Sequence, residues 1–300
     1  MSLDVAKTAV IYHYYEKNLV YKDNFVFFLS LAWRVELDFF IIIAGDTTIK
    51  LPQHDNIRYF FTENLQHDFA GYSLVVDDEG FNIYSHFIFL NCTVRGPFLP
   101  PYVNQCWTQP FVSLLKDSVH LSGASINILH EDRPFSQLYE AAYPNEEKPF
   151  SHVQSSVLAM TNNCFHLLLS SGFFDKARGI SKEDAIVECE IRMSQLVKQA
   201  GWNISCVLPP YQEIDYRLPH SDINKTTNTG HPQSVNAYFG NTLHPFEVIF
   251  LKTGWGALTE HAWNFYSVNS LKLKNDTIRL WDADEYQELL QRLQAYLETD

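Results

Sequence analysis

Asp38-Phe39-Phe40-Ile41-Ile42-Ile43-Ala44 is an unbroken apolar run closed by Gly45-Asp46. Without polar alternation it reads as a strand covered on both faces, the position of an inner strand in a parallel sheet. Upstream, Thr8 to Tyr14 predicts a first strand, and Asn24 to Val35, apolar at helical spacing, predicts the connecting helix. Downstream, Asn56 to Phe61 is a third strand, Asp68 to Val76 a helix, and His86 to Leu90 a fourth strand running into Asn91. This alternation of strand and helix is the rhythm of βαβ units, so the fold class is α/β, a mixed, mostly parallel sheet flanked by helices.

Beyond residue 95 the pattern is less regular. Gly96-Pro97-Phe98-Leu99-Pro100-Pro101 can continue neither a helix nor a central strand and predicts an ordered loop. Trp107 to Leu115 reads as helical, Val119 to Leu129 as a strand or hairpin, and Glu131 to Phe150 as a loop; His152 to Leu169 mixes strand and helix signals. Ser181 to Ala200 is the clearest helix, with Ser181 and Asp184 forming a capping-box variant and Gly201 closing it. Tyr211 to Asn241 is polar and aperiodic, a long loop of the kind that acts as a lid. Phe246 to Lys252 reads as a strand, and Ala283 to Leu297 as a terminal amphipathic helix. No internal repeat is present.

Of 300 residues 46% are hydrophobic, enough for one continuous core. The 22 basic and 35 acidic residues give a net charge of −13, which disfavours nucleic acid as a partner. No apolar stretch is long enough to span a bilayer, and the start Met1-Ser2-Leu3-Asp4-Val5 has no signal-peptide pattern. Five cysteines, Cys92, Cys106, Cys164, Cys189 and Cys206, are odd in number and lack metal-ligand spacing. A reduced, cytoplasmic protein is the expectation. The tripeptides beginning at Asn91, Asn203, Asn224 and Asn275 match the N-glycosylation pattern, but in that compartment they are chance matches.

In open α/β sheets the ligand lies outside the carboxyl ends of the strands. That rule selects Tyr12 and His13, Gly45 and Asp46, Asn64 to Asp68, and Asn91, Thr93 and Arg95 as substrate-binding candidates. His152 and Gln154 alternate with Val153 and can share one strand face. The histidines show no zinc-ligand spacing. Ser155 and Ser156 lack the Gly-x-Ser-x-Gly context of a hydrolase nucleophile.

The stretch Glu63-Asn64-Leu65-Gln66-His67-Asp68-Phe69-Ala70-Gly71-Tyr72, followed by Ile88-Phe89-Leu90-Asn91-Cys92-Thr93-Val94-Arg95-Gly96-Pro97, resembles the rhamnan-synthesis F-like proteins and related GT-A glycosyltransferases. In those an Asn-x-Gly-x-Asp-x-Gly-x-Tyr segment precedes a strand ending in Leu-Asn-x-Ser-x-x-Gly-Pro. The likeness continues in His152-Val153-Gln154-Ser155, in Glu190 before Ala200-Gly201-Trp202, and in Phe246 to Thr253. It implies a GT-A-like, Rossmann-like domain over residues 1–255, with a donor half at 1–95, an acceptor half at 96–255, and a C-terminal helical extension at 256–300. The implied activity is transfer of a hexose or deoxyhexose, such as rhamnose, from a nucleotide-sugar donor to a glycan acceptor for polysaccharide biosynthesis.

The resemblance also implies site roles. Asp46 stands where related enzymes place an Asp against the base, and Glu190 where inverting enzymes place their general base. Asn91-Cys92-Thr93 occupies the position of the usual Asp-x-Asp, so the divalent cation is open: none is needed, with Arg95 neutralising the diphosphate, or Mn²⁺ or Mg²⁺ binds through another acid. Asp77-Asp78 is the adjacent acidic pair, which a solvated turn explains as readily. Glu188 is the rival of Glu190, but Arg192 four residues on predicts an ordinary surface pair for it. A catalytically silent nucleotide-sugar or glycan-binding module and a retaining transferase are the alternative readings.

Overall fold

The computed structural model describes residues 7–65, 67–76, 79–228, 230–273 and 283–298. The amino-terminal part runs β1 (Thr8–Tyr14), α1 (Leu19–Ala32), β2 (Leu37–Ala44), β3 (Ile57–Thr62), α2 (Asp68–Tyr72), β4 (His86–Asn91) and β5 (Val94–Arg95). There follow α3 (Gln109–Val112), β6 (Val119–Gly123), β7 (Ile126–Asn127), α4 (Pro134–Ala142), β8 (His152–Val153), β9 (Val157–Thr161), α5 (Asn162–Ser170) and α6 (Phe173–Ala177). Next, α7 (Lys182–Ala185) passes through a π-helical turn, Ile186–Ile191, directly into α8 (Arg192–Gln199). The chain ends with β10 (Asn203–Cys206), α9 (Pro209–Gln212), α10 (Pro245–Val248), β11 (Leu251–Lys252), α11 (Glu260–Leu273) and α12 (Ala283–Glu298).

A sheet in the order β10-β6-β9-β4-β1-β2-β3 forms the centre. All of its pairings are parallel except those of β9, which runs antiparallel to both β4 and β6. The expected mixed, mostly parallel sheet is therefore present. Every residue of β1 is buried, as is nearly every residue of β2, because helices cover both faces. Aromatic rings fill the layers: Tyr12 stacks on Phe28 with centroids 4.4 Å apart, and Phe87 on Phe165 at 4.1 Å. Trp107 lies fully buried and donates from Nε1 to the carbonyl oxygen of Ala32 at 2.8 Å.

Several elements differ from the sequence expectation for local reasons. The first helix begins at Leu19 rather than Asn24, because the Asn18 side chain caps it by accepting from the Tyr21 amide. Only Gln109–Val112 of the expected helix at Trp107 to Leu115 is helical. The Glu131 to Phe150 stretch is not all loop: Arg133 is extended, Pro134 opens a helix, and Tyr139 buries its ring completely. Phe246 to Lys252 is not one strand. His244 and Glu247 form a reciprocal capping box around Pro245, so the segment starts helical, and only Leu251–Lys252 pairs, antiparallel to Val94–Arg95. The terminal helices α11 and α12 pack against each other and against α1, and Arg292 bonds Asp23 across that contact.

Gly123 ends β6 where a Cβ would lie 2.4 Å from Val153 Cγ1 and 2.6 Å from the Val157 carbonyl oxygen. Gly123→Ala should therefore force β6 from β9 and cost about 1–3 kcal/mol, whereas Gly254→Ala, with open space around it, should change stability little. Urea denaturation of the two variants measures the contrast.

Candidate functional site

The chain leaves β1 toward β2 and β3 on one side and returns to β4 on the other, so the crevice of the sheet opens at the carboxyl ends of β1 and β4. A cavity of about 820 Å³ lies there. Its floor includes His13 and Asn91, which are paired across the two strands in register. Gly71 of α2 abuts the His13 ring so closely that a Cβ would lie 2.2 Å from Cδ2. Asn91 donates from Nδ2 to Asp68 Oδ2 at 2.5 Å, and its Oδ1 accepts from the Thr93 hydroxyl at 2.5 Å and the Thr93 amide at 3.0 Å. Asn64 and Thr93 also line this floor.

One wall is built by the π-helical turn against β8. The Val153 amide donates to Ser194 Oγ at 3.0 Å and Gln195 Nε2 to the Ser151 carbonyl oxygen at 3.0 Å, which locks α8 along β8. Glu190 then stands with Oε2 accepting from Ser155 Oγ at 2.5 Å and Oε1 3.5 Å from His152 Nε2. His152 Nδ1 lies 3.0 Å from the Phe150 carbonyl oxygen, which can only accept, so that nitrogen carries its proton and Nε2 is the atom shared with Glu190. Burial pushes the Glu190 carboxyl up, but the bond from His152, the charges of His152 and Lys252 and the bond from Ser155 hold it down to about 2. Gln154 is fixed beside it, accepting from Ser125 Oγ at 2.6 Å.

Residues that the strand-end rule passed over complete the site. Lys17, Tyr15 and Tyr21 lie beyond the end of β1, Lys182 at the start of α7, Lys252 at the end of the paired strand β11, and Gly254 and Trp255 just after it. Lys252 Nζ sits 4.1 Å from the centroid of the Trp255 ring, and His231, from the long polar loop, packs its ring on the same Trp255 with centroids 4.2 Å apart. The sequence carried faint signals for these: Tyr14-Tyr15-Glu16-Lys17 extends the first strand end, and Trp255 stands between two glycines.

Three candidates lie outside the cavity lining. Tyr12 alternates with His13 along β1 and so points the other way, fully buried against Phe25 and Phe28. Asp46 is exposed in the loop after β2. Arg95 is buried, donates to Asn24 Oδ1 at 2.8 Å and Ser267 Oγ at 3.2 Å, and lies over the Trp263 ring, so its charge serves the packing of α1 and α11. The eight others, His13, Asn64, Asp68, Asn91, Thr93, His152, Gln154 and Glu190, are brought together.

Glu188 does not pair with Arg192. Its carboxylate meets Lys176 Nζ at 2.6 Å and the Tyr143 hydroxyl, while Arg192 bonds Glu146 and Tyr139. The π-helical turn is the reason, since its wider winding removes the i,i+4 alignment of an α-helix. The glycosylation-like asparagines Asn91, Asn203 and Asn224 are buried and hydrogen-bonded; Asn275, like Asp77 and Asp78, lies outside the described residues.

A divalent cation fits the described residues poorly. No three His, Cys, Asp or Glu side chains among them are grouped to hold a metal ion, and both oxygens of Asp68 already accept bonds, from the Phe69 amide and from Asn91. No helix among them is long and apolar enough to cross a membrane, and all five cysteines are free thiols.

No protein-family model matches the chain, and no curated protein matches it in sequence. Among solved structures it is similar to a mannosyltransferase from Pyrobaculum calidifontis in complex with GDP-Man and Mn²⁺, at 10% identity over 97% of this chain and 69% of that one, with a TM-score of 0.41. It is also similar to a galactosyltransferase in complex with donor and acceptor sugar analogs, at 11% identity over 94% of this chain and 100% of that one, TM-score 0.42. A third is a mannosyltransferase from S. cerevisiae in complex with GDP, at 8% identity over 67% and 69%, TM-score 0.36.

Burial, opposed by the charge of Asp68, lowers His13 to about 4, and burial together with Lys252 lowers His231 to about 4. Both rings stay neutral in the folded chain while the unfolded chain takes up protons below the ordinary value of 6.5. Stability should therefore fall as pH drops from about 6.5 to about 4. Melting temperatures across that window test this, and His13→Phe, which keeps a ring against Gly71, should flatten the slope.

Proposed function

We propose that this chain is a glycosyltransferase that seats a nucleoside-diphosphate sugar in the cavity and moves the sugar onto a hydroxyl of a glycan acceptor. The observation that carries the reading is one ionised carboxylate, Glu190, facing the cation Lys252 within a crevice at the carboxyl ends of parallel strands. A transferase of this kind needs a cation for the departing diphosphate and an acceptor for the proton of the attacking hydroxyl. Both are present, and the floor amides and hydroxyls of Asn64, Asn91 and Thr93 suit the hydroxyls of ribose and sugar.

In this reading Lys252 and Lys17 take the role that the sequence assigned to Arg95, and Tyr15 and Tyr21 offer rings against which a base can stack. Asp46 reaches a base only from outside the cavity lining. Transfer is by direct displacement with inversion, Glu190 acting as general base. A carboxylate held near 2 is a weak base at neutral pH, so it takes the proton only as the bond to the sugar forms and the attacking hydroxyl becomes acidic. The acceptor hydroxyl's proton goes to Glu190 while its oxygen bonds the anomeric carbon and the bond from that carbon to the diphosphate breaks; the diphosphate departs toward Lys252, and Glu190 afterwards releases the proton to water. Residues 1–95 supply most of the donor floor and 96–255 the catalytic wall. The sugar is a hexose or a deoxyhexose, the setting polysaccharide biosynthesis, and the free thiols suit the cytoplasm.

Binding is tested first. Nucleoside diphosphates and nucleotide sugars should raise the melting temperature, and Lys252→Ala should weaken that binding about tenfold or more, the loss of one charge-assisted contact. EDTA should leave binding and transfer nearly unchanged; complete loss on chelation, restored by Mn²⁺, would overturn the metal-free reading. If no donor shifts the melting temperature, the donor-site reading fails.

Catalysis is tested by Glu190→Gln, which keeps the side chain's shape and its place beside Ser155. Transfer should fall by about 10²- to 10⁴-fold while the donor-induced melting shift is retained. A variant that transfers at the wild-type rate would exclude the inverting base and favour a retaining reaction.

A further inference from the structure

The helix bearing Glu190 is gripped on its opposite side by side chains that neither touch the cavity nor serve the proton transfer. Tyr143 and Lys176, from the end of α4 and from α6, both bond Glu188 Oε2, and Lys176 Nζ also lies 3.0 Å from the Tyr143 hydroxyl. One turn on, the Arg192 guanidinium lies 4.3 Å over the Tyr143 ring and bonds Glu146 and the Tyr139 hydroxyl. The anchors stand at position 188 within the π-helical turn and at 192 directly after it, and Glu190 lies between them facing the other way, toward His152 and Ser155.

A π-helical turn holds one residue more than an α-turn. Nothing in an isolated helix fixes where the extra residue sits, and each step it takes along the chain turns the side chains it passes by about 100°. We infer that the Tyr143–Lys176–Glu188–Arg192 cluster fixes the position of that extra residue, and that Tyr143 and Glu188 are thereby positioning residues for Glu190. This rests on the proposed role of Glu190 as base. With Glu188 and Arg192 anchored, Glu190 is held toward Ser155, His152 and Lys252, the groups that keep its carboxylate ionised. Release of the anchors lets Glu190 turn away from all three.

Glu188→Gln and Tyr143→Phe test this, each changing one polar group while keeping the side chain's volume. The first readout is the carboxyl titration of Glu190, followed by NMR on protein with labelled glutamate and assigned with Glu190→Gln; it needs no substrate. In both variants the midpoint should rise from about 2 toward the ordinary 4.5. The acid limb of the transfer reaction should move to higher pH with it, and kcat should fall roughly tenfold or more, part of a general base's contribution, with donor affinity unchanged. A merely structural cluster would lower the melting temperature but leave the Glu190 midpoint and the acid limb in place, and that result overturns the inference. Should Glu188→Gln fail to fold, Tyr143→Phe, which keeps the ring under Arg192, decides alone. If the midpoint rises while the wild type transfers no sugar, the positioning stands and the proposed function falls; if the wild type transfers sugar and neither midpoint nor acid limb moves, the reverse holds.

Discussion

Strand β1 meets water on neither face and at neither edge. Its residues are buried from Thr8 to Tyr14, and its backbone is paired in parallel with β2 on one side and β4 on the other. Such a strand tolerates a polar side chain only where the sheet ends, and there His13 comes into register with Asn91. Because the chain changes direction across the sheet between β3 and β4, no connection covers that end, and a crevice results. The close approach of α2, permitted by the absent side chain of Gly71, then brings Asp68 to Asn91 and completes the floor.

The charges of the cavity run against those of the whole chain. A protein of net charge −13 repels anions at long range, yet Lys17, Lys182 and Lys252 line one crevice. Attraction for an anion is thus a property of the site, acting at short range where screening is weakest. Glu190 profits from the same arrangement. An unpaired half-buried carboxylate would lose several kcal/mol of hydration, and here Ser155, His152 and Lys252 offset that loss without neutralising it by protonation. Glu190 is therefore held ionised within the crevice by its neighbours.

Where burial alone decides structure, the residues announce it. Asp38 to Ala44 could be read as a doubly covered strand because an apolar run with no alternation has no other low-energy place in a mixed α/β chain, and the three strands around it followed from the same rule. Caps were legible where a side chain acts on its own backbone, as Ser181 does for the Asp184 amide. The failures share a cause. At Pro134 and Pro245 the residue that ends one helix can as well begin another, and the choice depends on whether Tyr139 and Val248 find a core to enter.

The sequence by itself determined the parallel strands of the amino-terminal half, the crevice at their ends, and the acidic and amide residues there, since these depend on hydrophobic period and chain direction, whereas the short strand β10 carried no such signal. Tertiary structure alone decided which charges face the crevice. Arg95 and Lys252 lie on paired strands, opposite Leu251 and Val94, yet Arg95 is drawn into the packing of α1 and α11 while Lys252 lines the crevice with Glu190 and acts on it by its charge. Glu188 and Glu190 differ by two positions, and only the π-helical turn, held by side chains distant in sequence, sends one to Lys176 and the other to His152. Electrostatic partners are chosen by distance in space, and spacing along the chain carries that information only within a regular helix or strand.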